Sequence, residues 1–219
     1  MPLNTPFRTK TEAIKIIYDC AVLYNKNLSG KNVLFLTEHN HKSDYFETLF
    51  MPHNFMHLTG AKSRLNGELF FRAAVNNRLG INDITLATDG TTDLKLDVLP
   101  QLMNIHLLAR MVGDYENVKP LLITDKLTGT VTMAMGFVFA NHVYIPNSAL
   151  KKDIRDITSQ ATRQKVTAIF VKPRQNDKYS TLTYIAKGLT IDDDILQPVL
   201  REKVDMQNLT AAFPIPKKQ

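Results

Sequence analysis

The sequence predicts an α+β fold: helices from the first half packed on an antiparallel sheet from the second half, with short extra strands and a C-terminal helix. Two observations carry that expectation. Up to about residue 111 the apolar residues recur at spacings of three and four, the period of a helix face, whereas from Val118 onward they alternate with polar ones between turn residues. A third observation sets the scale: 219 residues, 44% of them hydrophobic, suffice for a core without staples. Cys20, the only cysteine, falls inside an apolar helical stripe, which excludes a disulfide framework and a cysteine-based metal site and fits a reducing compartment. Neither an internal repeat nor a linker divides the chain, so residues 1–219 read as one domain, with 190–219 as a helical extension and tail.

Taken in order, Thr9 and Glu12 form a capping box for a helix to Leu28, with Ile14, Ile17, Ala21, Tyr24 and Leu28 on one stripe. Ser29-Gly30-Lys31 ends it, and Asn32 to Thr37 is a short buried strand. Glu38 to Lys42 reads as a solvated loop; His39 and His41 would share a face only in an extended chain, and nothing around them supports a metal site. Asn54 to Leu58 alternates like a strand, Gly60 breaks it, and Ser63 caps a helix running to about Arg78 with Gly80 beyond its end. Asp83 to Asp89 is a short strand. Asp89-Gly90-Thr91-Thr92 turns into a buried helix that breaks or restarts at Pro100.

In the second half, Pro120 to Asp125, Thr130 to Ala140 and Val143 to Ile145 form a meander, turned at Thr128-Gly129 and at Asn141-His142. Pro146 to Ser148 opens a helical crossover to Ala161, and Lys165 to Lys172 pairs with Tyr179 to Lys187 as a hairpin. Asp192 to Asp194 lead a last helix to Val204, and the tail from Leu209 frays.

The formal net charge of +6 favours a polyanionic partner such as nucleic acid, although the basic residues are scattered rather than clustered in one run. The first ten residues lack the apolar core of a signal peptide and no apolar run is long enough for a bilayer, so the expectation is a cytoplasmic protein without membrane contact. Gly60-Ala61-Lys62-Ser63 has the ending of a phosphate-binding loop without its earlier glycine, and no serine-hydrolase elbow is present.

The densest polar cluster is Met51 to Arg64. A helix beginning at Ser63, with Lys62 and Arg64 beside it, would favour a phosphate, and His57 and Thr59 would project next to it. RNA carries its own nucleophile, the 2′-hydroxyl, so cleavage asks only for a base, an acid and groups that stabilise charge on phosphorus; no cofactor is needed. His57 suits the proton transfers, and His142, Tyr144, Ser148, Lys172 and Tyr184 are candidates for the second group. The same residues equally suit a hydrogen-bonded corner with no chemistry.

The run Asn54 to Gly60, the Phe70-Phe71 pair in the following helix, the Gly90-Thr91 to Lys95 turn, Gly136-Phe137, Tyr144 to Ser148, and the Ile169–Lys172 and Tyr179–Tyr184 strands resemble the phage-associated nucleases of the barnase, EndoU, colicin and RelE-like superfamily. The resemblance spans about Ala13 to Ala186. It implies a four-stranded antiparallel sheet and metal-independent RNA cleavage in a bacterial host cell. It carries over His57, Thr59, Lys95, Ser148 and Lys172 as catalytic and Asn147 on the RNA; the residues themselves add Lys62, Ser63, Arg64 and Tyr184 as RNA or phosphate contacts. An RNA or a ribonucleoprotein is the expected partner, with an immunity protein or a defence nuclease as a protein partner. A non-cleaving RNA-binding inhibitor of the counter-defence kind and the toxin of a toxin-antitoxin pair are the other readings.

Overall fold

The computed structural model describes residues 7–116, 123–191 and 198–213. Helix α1 (Lys10–Asn27) starts as expected: the Glu12 amide donates to the Thr9 hydroxyl and the Glu12 carboxylate accepts from the Thr9 amide. Its stripe Ala13, Ile17, Cys20, Ala21 and Tyr24 is buried, and Gly30 turns the chain with φ +72°. Strands β1 (Lys31–His39) and β2 (Lys42–Phe50) then form a hairpin. The expected solvated loop is its turn: Asn40 and His41 both have positive φ, the primed geometry that matches the twist of a hairpin. Strand β2 escapes a sequence reading because its first four residues are exposed and polar or amphipathic, and alternation begins only at Phe46.

The next segment corrects three expectations. Asn54 to Leu58 is no strand: a 3-10 turn (Pro52–Asn54) runs into helix α2 (Phe55–Thr59). Pro52 suits a first helical turn, the Met51 amide donates to Asn54 Oδ1, and Phe55 and Leu58 are buried three residues apart. Five residues are too few for local alternation to separate the two periods. Ser63 starts no helix either, because it lies with Lys62 in strand β3 (Lys62–Ser63), paired to β4 (Ile84–Thr85). Helix α3 (Gly67–Val75) begins four residues later on an Asn66 cap, and Asn77 rather than Gly80 adopts the left-handed conformation beyond its end.

Helix α4 (Thr91–Leu102) passes through Pro100 without breaking and ends two residues beyond it; α5 (Ile105–Leu108) comes after. The remaining strands are β5 (Met111–Asp114), β6 (Lys126–Gly129), β7 (Ala134–Ala140), β8 (Val143–Leu150), β9 (Gln164–Pro173), β10 (Thr181–Ile185) and β11 (Thr210–Ala211), with α6 (Pro198–Lys203) before the last. The expected helical crossover from Pro146 is instead the second half of β8 plus a single 3-10 turn, Ile154–Asp156. Thr128-Gly129 ends β6 rather than making a turn. The strand expected at Pro120 to Asp125 and the start of the last helix lie largely outside the described residues, and residues 210–211 pair in parallel with β10 instead of fraying.

Among the described residues the sheet is therefore nine-stranded and mixed, not four-stranded and antiparallel: β2–β8 and β10–β11 pair in parallel. Its pairings close on themselves, running β1–β2–β8–β7–β6–β5–β9 and back to β1. One face packs against α1 to α5 in the main core, through Val33, Phe35, Phe46, Met135, Phe137, Ile169 and Val171. The other face carries two smaller cores. Leu34, Phe170, Tyr179 and Leu200 form one under α6, and Leu127, Ala134, Leu150 and Ile154 form the second. The alternation of β1, with Val33 and Phe35 on one face and Leu34 and Leu36 on the other, decides which side chains can meet.

Candidate active site

Tyr24 positions the corner that carries His57. The buried hydroxyl of Tyr24 donates to the Met51 carbonyl at 2.9 Å, and its ring packs on Phe55 and Phe71 at 5.3 and 5.5 Å between centroids. With Phe55 and Leu58 fully buried, α2 can rotate no further, and the intervening His57 is left exposed. Gly60, at φ +70°, reverses the chain after it. Lys95 of α4 lies across that glycine: a Cβ at residue 60 would sit 2.7 Å from the Lys95 Cδ. The Lys95 ammonium donates to the His57 carbonyl at 3.3 Å, and the Thr92 hydroxyl donates to the Gly60 carbonyl at 3.0 Å while accepting from the Ala87 amide. Two helices are thus fastened around one turn.

His53 stands four residues before His57 on the same run of helical turns, and Gly67 lets the start of α3 close on it, since a Cβ there would fall 2.6 Å from the His53 carbonyl oxygen. Partial burial, then the charges of Lys95 and His53, hold the His57 imidazole below its ordinary pKa of 6.5. Burial likewise lowers Lys95. His57 is therefore neutral near pH 7, the state in which an imidazole accepts a proton. Lys62 is exposed on β3, where its charge contributes to keeping the Asp89 carboxyl low after the hydrogen bonds from Thr91. The structure thus gathers His53, His57 and Lys95, while Lys62 lies beside Asp89. His53 is the member that sequence reasoning passed over; its signal, the i, i+4 spacing to His57, is visible only if the segment is read as helical.

The other sequence candidates have different surroundings. Thr59 is fully buried, its hydroxyl donating to the Met56 carbonyl at 2.8 Å and accepting from the Ala61 amide at 3.1 Å, so it builds the corner from within. The Ser63 hydroxyl donates to the Asp83 carbonyl and accepts from the Leu65 amide, and Arg64 is ion-paired with Asp83 at 2.7 Å. The expected phosphate cradle at a helix starting from Ser63 is absent, because the backbone there belongs to β3.

Ser148 is buried on β8 opposite Gly136, two residues from Leu150 and on the sheet face turned away from α2. Asn147 forms the bulge beside it, accepting from the Thr124 hydroxyl and donating to the Ile123 carbonyl. Lys172 pairs with Asn32, also on the far face, where its ammonium donates to the carbonyls of Asn176 and Asp177 and lies 5.1 Å from the Tyr179 ring centroid. Tyr184 packs on the helical side but stacks under the Arg110 guanidinium at 3.9 Å. Tyr144 packs its ring on Phe46 and Phe139, and His142 occupies a hairpin turn with φ +64°.

His39 and His41 are likewise separated, the first donating from Nδ1 to the Arg163 carbonyl and the second lying in the turn. Among the described residues no group of three or more His, Cys, Asp or Glu side chains gathers in a way that could hold a metal ion, and no helix is long and apolar enough to cross a membrane. Compared with known proteins, residues 16–188 match the model of a family described as phage-Barnase-EndoU-ColicinE5/D-RelE like nuclease4. No curated protein and no solved structure matches.

Proposed function

The chain belongs to the phage-Barnase-EndoU-ColicinE5/D-RelE like nuclease4 family, and from that premise we propose that it is a ribonuclease that cleaves by attack of the 2′-hydroxyl at the His57 corner. The observation that supports this reading is the exposed, neutral His57 imidazole held between His53 and Lys95 around the Gly60 turn. His57 takes the proton from the 2′-hydroxyl as its oxygen forms a bond to phosphorus. The bond from phosphorus to the 5′-oxygen breaks, and His53 acts as the acid that supplies a proton to that leaving oxygen. The products are a 2′,3′-cyclic phosphate and a 5′-hydroxyl. Lys95 and Lys62 offset the charge on the non-bridging oxygens. The substrate is an RNA of the host or of a defence system.

Incubating the protein and its His57→Ala variant with total RNA in EDTA tests this. Fragments ending in cyclic phosphate from the wild type alone are expected; intact RNA in both samples would overturn the reading. One observation favours binding without cleavage: among the described residues no carboxylate hydrogen-bonds the His57 ring to orient it. That alternative expects salt-sensitive RNA binding with the RNA left whole.

A further inference from the structure

His106, on α5, plays no part at the His57 corner. It is only 8% exposed, and its Nδ1 is buried with no hydrogen-bond partner among the described residues, a rare state for a polar atom in a folded core. The ring lines a half-open cavity of about 300 Å³ between the end of α1 and strands β9 and β10. Its backbone is fixed there: the Thr183 hydroxyl donates to the His106 carbonyl at 2.6 Å. Asn27 Nδ2 donates to the Met103 carbonyl and to Asn104 Oδ1, tying the start of α5 to α1. Held this firmly, the ring presents a fixed wall to whatever enters the cavity.

The lining sets the chemistry of such an occupant. Among the described residues Lys31 is the one formally charged residue lining the cavity, and its ammonium, donating to the Lys26 carbonyl at 2.6 Å, adds to burial in holding His106 at about 4. No described Asp or Glu lines it, so the field favours an anion. An entering dianion would offset Lys31 and a proton taken up by His106, and a phosphate monoester carries about −1.5 to −2 at neutral pH. Val171, Pro173 and Ala212 supply apolar wall for a compact body, and the volume lies at the small end of ligand sites.

We propose that this cavity binds a phosphate monoester with a planar or apolar body, such as a mononucleotide. The choice of a mononucleotide rests on the ribonuclease reading, since such an enzyme works on chains of them; the anion site itself does not. Calorimetry with the full-length protein, using adenosine 3′-monophosphate, adenosine and inorganic phosphate, combined with NMR of the histidine rings, tests it. The nucleotide is expected to bind and to move the His106 signals, and Lys31→Gln to weaken binding by about tenfold or more. The His106 signals, rather than the total heat, report this cavity, because the nucleotide can also bind at the His57 corner.

Three results would overturn the proposal: no His106 response at millimolar nucleotide, unchanged affinity in folded Lys31→Gln, or inorganic phosphate binding as tightly as the nucleotide. The wild-type His106 signals report binding even if a variant fails to fold. Nucleotide binding with RNA left intact keeps the cavity and sinks only the ribonuclease reading; cleavage without nucleotide binding does the reverse.

Discussion

His57 and His106 are both held below the ordinary imidazole pKa, yet they sit in opposite environments. His57 is exposed on a corner, lowered by partial burial and by its cationic neighbours Lys95 and His53. His106 is enclosed, lowered to about 4 by burial first and by Lys31 second. The contrast teaches that a perturbed pKa does not by itself define a role: the exposed ring is free to exchange protons with a large substrate, and the enclosed one can respond only to what fits its cavity.

Substitutions and pH separate the two histidines. The largest expected effect is on the exposed one. His57→Ala should lower RNA cleavage by ~10²–10⁴-fold, the range for loss of a general base, while leaving the melting temperature unchanged because the side chain is solvent-facing. Initial rates and a thermal melt on one preparation check both halves, and a large fall in melting temperature would mean that His57 supports the fold instead.

The enclosed histidine should speak through stability. Below pH 6.5 the unfolded chain protonates His106 while the folded protein does not until about 4, so stability falls as pH drops through that window. The full contribution is about 3 kcal/mol, from the shift between those two values. Urea unfolding from pH 7 to pH 4 should therefore show a steeper loss for wild type than for His106→Gln; parallel curves would contradict an enclosed neutral ring.

A smaller effect links the corner to its packing. Gly67→Ala places a Cβ against the His53 carbonyl at 2.6 Å, a backbone atom that cannot swing away, and should cost about 1–3 kcal/mol together with a loss of cleavage. If stability falls and the rate per folded molecule does not, His53 is no part of the chemistry. Last, Lys95→Met removes one of the charges that hold His57 low. The acid limb of the cleavage profile, expected below pH 6.5 in wild type, should move to higher pH in the variant; a shift to lower pH would contradict the electrostatic account.

By itself the sequence determined the elements whose cues are local. The capping box of Thr9 and Glu12 starts α1 where it should, and the alternation around Ile169 and Leu182 pairs β9 with β10, because neighbouring residues alone set those patterns. It also marked His57 and Lys95 separately as candidates. Tertiary structure decided which residues share a face. The strand-like reading of Asn54 to Leu58 fails because burial of Phe55 and Leu58 against Tyr24 selects the helical period, and with it brings His53 beside His57. Ser148 and Lys172 cannot be assigned to a face until the bulge at Asn147 and the register of β9 against β1 are known, since one residue of slip sends a side chain through the sheet. The cavity of His106 is likewise invisible in sequence: Asn27, His106 and Thr183 meet only when α1, α5 and β10 close around it.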